Sequence, residues 1–86
     1  MKRNYGELLV HANTAMLEKL NENEHKSSWE EYNLNELILL LKEEYEELDY
    51  SLLFGTLADT RREAADVANY TAMIIHKCDM LIKEAQ

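Results

Sequence analysis

The run LILLL, from Leu37 to Leu41, clothes more than one full turn of a helix in apolar side chains. A helix that is apolar all round has to be covered on all sides. Eighty-six residues cannot easily supply that cover, because so short a chain buries only roughly 60–65% of its unfolded surface. The belt therefore predicts self-association, and the symmetric homo-oligomer is the simplest form of it. Pairing through the second and third helices would build a four-helix core with the first helices outside.

The elements around the belt follow from periodicity and caps. Tyr5, Leu8, Leu9, Ala12, Ala15, Met16 and Leu20 recur at three- and four-residue steps, which predicts a first helix from about Tyr5 to Leu20. The polar stretch NENEHKSSWEEYN is the one loop of any length, and Ser28 with Glu31 is placed to cap a short turn around Trp29. Asn33 and Glu36 form the ends of a capping box that opens a second helix running to about Phe54, with Gly55 as the C′ residue that stops it. The third helix begins at Thr56 or Thr60 and runs to about Lys83. With no proline and two glycines, the composition suits helices joined by tight turns. The expectation is a single all-α domain over residues 1–86, a short three-helix chain whose helical bundle core is completed by homo-oligomerisation.

A formal net charge of −8 disfavours nucleic acid polymers and anionic membranes as partners, since the long-range field repels both. Cys78 is alone, which fits a reducing, cytoplasmic compartment. The amino end, MKRNYGELLVHANTAML, has no uninterrupted apolar run of the signal-peptide kind, and no segment approaches the ~20 apolar residues that span a membrane.

Two acidic pairs, Glu44/Glu47 and Glu63/Asp66, interrupt otherwise apolar stripes. Acids three residues apart are about as frequent as 17 acidic residues in 86 produce by chance, so position discriminates where counting does not. Leu37, Leu40, Glu44, Glu47, Ser51 and Phe54 form one stripe; Glu63, Asp66, Tyr70, Met73 and Met80 form the other. Lys42, Glu46 and Asp49 share a face of ordinary solvated character, and Glu43 lies beside Glu44 and Glu47. Carboxylates on a core-facing stripe are costly unless their charge is compensated. Convergence of the two pairs would supply four hard oxygen ligands of the kind Mg²⁺ takes. Two simpler arrangements compete with this one. Glu63 can close a T-x-x-E capping box with Thr60, and Glu44 and Glu47 can pair with Arg61 and Arg62.

LLKEEYEEL, from Leu40 to Leu48, followed by REAADVANY, from Arg62 to Tyr70, resembles the signature of MazG-like, all-α nucleoside triphosphate pyrophosphohydrolases: E-E-x-x-E on one helix and E-x-x-D on the next. Glu43, Glu44 and Glu47 match the first part, Glu63 and Asp66 the second. NENEHKSSW, Asn21 to Trp29, is similar to the lysine-and-tryptophan loop that precedes the metal helix in many members. The resemblance spans about Asn13 to Asp79; the sequence ends soon after the third helix, where larger members carry a fourth. It implies hydrolysis of a (deoxy)nucleoside triphosphate to the monophosphate and pyrophosphate, as in nucleotide-pool house-cleaning; the homodimer or homotetramer is the expectation from the Leu37–Leu41 belt. Mg²⁺, with Mn²⁺ as a substitute, would be held by Glu44, Glu47, Glu63 and Asp66, and Glu43 would orient or deprotonate the attacking water.

Lys26 (phosphate), Trp29 (stacking on the base) and Asn69 (sugar or base) are candidate substrate contacts. Each has a plain alternative: a solvated lysine, an apolar lid over helix two, and a polar contact between helices. Tyr70, Met73, Met80 and Cys78 read as core. A non-enzymatic acidic homodimer that binds a partner protein is the competing expectation, since the belt and the negative surface serve it equally.

Overall fold

The computed structural model describes residues 4–24 and 28–86. Lys26, a candidate phosphate contact, lies outside the described residues. The element order is α1 (Tyr5–Glu22), a 3₁₀ turn (Trp29–Glu31), α2 (Leu34–Phe54) and α3 (Leu57–Glu84), with no strand among the described residues. The chain is all-α, and no described helix is long and apolar enough to cross a membrane.

The caps explain where the helices begin. Asn4 accepts from the Gly6 N–H at 3.0 Å to open α1. Asn33 accepts from the Glu36 N–H at 2.9 Å while the Glu36 carboxylate accepts from the Asn33 N–H at 3.0 Å, the reciprocal box that the sequence predicts. For α3 the structure selects Thr56 over Thr60. The Thr56 hydroxyl accepts from the Asp59 N–H at 3.1 Å, and Asp59 accepts from the Thr56 N–H at 3.0 Å. The turn around Trp29 forms as expected, but Ser28 contributes its carbonyl (to the Glu31 N–H, 3.0 Å) and makes no side-chain cap.

Gly55 ends α2 by a different device from the expected left-handed C′. Its φ and ψ are −102° and −171°, extended values open to any residue, and its N–H donates to the Ser51 carbonyl at 2.7 Å. What demands glycine is room. A Cβ there would lie 2.9 Å from the Ser51 carbonyl oxygen and 3.0 Å from Asp59 Oδ2. Two residues, Gly55 and Thr56, thus fold α2 back along α3 as a tight hairpin.

α3 is the central element. α1 and α2 each pack against it, as does the 3₁₀ turn, while α1 and α2 make no packing contact with each other among the described residues. That leaves a cleft between α1 and α2 with α3 as its floor. The buried apolar residues are Ala15, Leu37 and Ala65, joined by two polar ones, Ser51 and Asn69. Of the belt, Leu37 is fully buried, but Leu39 is 60% exposed. Tyr70, Met73 and Cys78 are half-buried; Met80, expected in the core, is exposed because α3 runs 28 residues against the 21 of α2 and overhangs it.

Candidate metal centre

Glu44 on α2 and Glu63 and Asp66 on α3 converge beside the hairpin. Each offers a carboxylate oxygen, and the three oxygens lie within 4.8 Å of one another. Neither of the simpler arrangements accounts for them. The capping box uses Thr56 and Asp59, so Glu63 is not a cap, and Thr60 is already inside the helix with its hydroxyl on the Thr56 carbonyl. Both arginines turn to α1 instead. Arg61 donates to Glu18 at 2.9 Å, and Arg62 holds Glu22 in a two-pronged pair at 2.9 and 3.0 Å.

The acids consequently stand undercompensated. Glu44 Oε2 and Glu63 Oε2 are buried with no hydrogen-bond partner. Burial, then the Glu47 carboxyl and the charges of Asp66 and Glu63, push the Glu44 pKa up to about 8. Glu63 is raised as well, by burial first and by Glu47 and Asp66 after it. Asp66 is raised by burial, which outweighs a nearby ammonium.

That ammonium belongs to Lys19, a residue the sequence reading passed over. Its Nζ lies 3.6 Å from Asp66 Oδ2 and 3.4 Å from Glu22 Oε2, with the side chain only 13% exposed. The signal was present: Leu8, Ala12, Ala15 and Lys19 fall on one stripe of α1, and a lysine on a core-facing stripe implies a buried acid opposite it.

The remaining candidates divide between two grooves. A cleft of about 590 Å³ between α1, α2 and α3 is lined by Lys19, Trp29, Glu44, Asp66, Asn69 and Tyr70. A second groove, of about 670 Å³, runs along α2 past Glu43, Glu46, Glu47 and Glu63 toward Tyr50 and Phe54. Glu47 is outside the tight trio but close enough to raise both Glu44 and Glu63, and Glu43 is exposed beside it. Asn69 plays the interhelical part: its Nδ2 donates to the Met16 carbonyl at 3.0 Å. Its Oδ1, in a residue 5% exposed, has no partner. Trp29 is no lid over α2. It packs on α3, edge-on to His76 with ring centroids 5.4 Å apart, in a turn that Lys77 secures by donating to the Glu30 carbonyl at 2.8 Å.

Comparison with protein-family models, with curated proteins and with solved structures found no match to the chain.

Proposed function

We propose that the chain is a divalent-metal-dependent hydrolase that cleaves a (deoxy)nucleoside triphosphate to the monophosphate and pyrophosphate, in cytoplasmic nucleotide-pool house-cleaning. The observation that carries this reading is the trio of converging carboxylates with two buried, unpartnered oxygens. An all-oxygen donor set of this charge fits Mg²⁺ or Mn²⁺, and such an ion would satisfy the orphaned oxygens that no arginine reaches. Glu44, Glu63 and Asp66 would hold it, with Glu47 at the margin. A bound ion would supply charge neutralisation of the triphosphate and polarisation of the α-phosphorus.

The chain's own residues supply the rest. Glu43, exposed in the groove beside Glu47 and Glu63, is placed to take a proton from an attacking water. Asn69 lines the neighbouring cleft; one N–H of its amide is committed to the Met16 carbonyl, and its second N–H and its unpartnered Oδ1 are the groups that a sugar or base would use. Trp29 offers the cleft an aromatic surface of the kind that packs on a base.

A screen of canonical and modified nucleotides with Mg²⁺, scored for pyrophosphate release, tests the reading. Glu44→Gln or Asp66→Asn should lower turnover by about a hundredfold or more, since each removes a ligand and its charge. Glu46→Gln should change it little. A chain that releases no pyrophosphate from any nucleotide and is indifferent to Mg²⁺ would instead be the acidic interaction module.

A further inference from the structure

Among the described residues three cations pair with acids across the α1–α3 interface, and they are held in two different ways. The arginines lie at the rim, about half exposed, and bond tightly: Arg61 to Glu18 at 2.9 Å, Arg62 to both oxygens of Glu22 at 2.9 and 3.0 Å. Lys19 is the reverse. Its side chain is only 13% exposed, yet its ammonium stands 3.4 Å from Glu22 and 3.6 Å from Asp66. Both distances exceed the about 2.7–3.2 Å of a formed N–H···O bond. An enclosed charge held this loosely is costly, because little replaces the water it has lost.

Neither acid accounts fully for the placement. Glu22 is already satisfied by the two-pronged contact with Arg62. Asp66 does take its direct ion pair from Lys19, but Asp66 is also one of the three carboxylates that converge as metal ligands. Lys19 is, besides, the one cation among the described residues that line the cleft of about 590 Å³, which it shares with Glu44, Asp66 and Asn69.

We infer that Lys19 exchanges partners: it neutralises Asp66 in the metal-free chain, and it binds the phosphate chain of the nucleotide once a divalent ion has taken that carboxylate. The inference rests on the function proposed above and adds an order to it, ion first and polyphosphate second. Asp66 cannot attract Lys19 as before when its charge is spent on an ion, and the ion itself repels the ammonium. The packed stem keeps that ammonium at the wall of the cleft. There it offers three N–H donors and a positive charge, the complement of phosphate oxygens. In the metal-free chain the converging acids repel a polyanion and the one cation is committed. Binding of the ion removes both obstacles, so the two ligands favour each other.

Isothermal titration calorimetry with two probes tests this: Mg²⁺ alone, and inorganic tripolyphosphate in excess Mg²⁺, which carries the phosphate chain without base or sugar. Lys19→Met keeps the stem and removes the charge. It should weaken tripolyphosphate binding by about tenfold or more, the worth of one charge-assisted contact. It should bind Mg²⁺ alone at least as tightly as wild type, because the competitor for Asp66 is gone. Lys19→Arg should restore most of the tripolyphosphate affinity. Arg61→Met, which removes the same charge outside the cleft, should leave it unchanged. A lysine that only positions Asp66 would move both affinities together. Weaker binding of Mg²⁺ and tripolyphosphate alike in Lys19→Met therefore overturns the inference, as does an unchanged tripolyphosphate affinity. A wild type that binds Mg²⁺ but no tripolyphosphate overturns it too, and leaves the metal centre standing. One that binds no Mg²⁺ removes the proposed function and this inference with it.

Discussion

Burial and the neighbouring carboxyls hold the Glu44 pKa far above the usual carboxylate range, which has a consequence for pH. Its pKa is 4.5 in an ordinary setting and about 8 in the folded chain. Between those values the folded state holds a proton that the unfolded state has released. Stability therefore falls as pH rises across that window. Glu63 and Asp66, raised in the same direction, add to the slope. Thermal melts in chelator should show a chain more stable near pH 5.5 than near pH 8. Glu44→Gln should flatten that dependence, and a wild type whose melting temperature climbs over the same range would refute the assignment. Lys19 works in the opposite sense, as the cation that Asp66 and Glu22 already have. Lys19→Met should cost about 1 kcal/mol without metal, the upper end for a partly exposed pair. The loss should shrink in excess Mg²⁺, when an ion supplies the missing charge; an identical loss with and without Mg²⁺ would make Lys19 a purely structural residue.

At the scale of elements, the hairpin between α2 and α3 sets the geometry of the site, because its two-residue turn fixes the register that brings Glu44 opposite Glu63 and Asp66. Gly55→Ala should cost about 1–3 kcal/mol, the range for a side chain forced into occupied space. Thr56→Ala should cost about 1 kcal/mol through the lost cap. Chemical denaturation measures both, and a neutral Gly55→Ala would show that Asp59 and the Ser51 carbonyl yield to a Cβ. Much of this level was legible in the sequence. The Asn33–Glu36 box and the periodicity of α1 and α2 located the helices to within two residues. The start of α3 was ambiguous because Thr56–Asp59 and Thr60–Glu63 are consecutive boxes; only the position of Gly55 resolves them. Met80 misled because periodicity reports a face, not whether a neighbour reaches that far along the helix.

For the whole molecule, the sequence conveyed the essential tension: too much apolar surface for one short chain, and acids where apolar residues belong. Which residues faced which neighbour was less accessible. Arg61 and Arg62 were plausible partners for Glu44 and Glu47 by proximity in sequence, yet both turn to Glu18 and Glu22 on α1, a pairing of 40 or more positions' separation that periodicity does not encode. Lys19 was legible as a lysine on the core-facing stripe of α1, but periodicity does not say that Asp66 is the acid opposite it. Glu44, Glu63 and Asp66 were found because a carboxylate on an apolar stripe is costly wherever the stripe is packed.

The central claim is that this cost is retained in order to bind a divalent cation. Isothermal titration calorimetry of the chelator-stripped protein with Mg²⁺, repeated with Mn²⁺, examines it without any assumption about substrate. Binding should saturate at low-millimolar concentration or below, persist in Glu46→Gln and disappear in Glu44→Gln combined with Asp66→Asn. Heat that never saturates, or binding of equal affinity in the double variant, would contradict the account and leave the three carboxylates without a ligand.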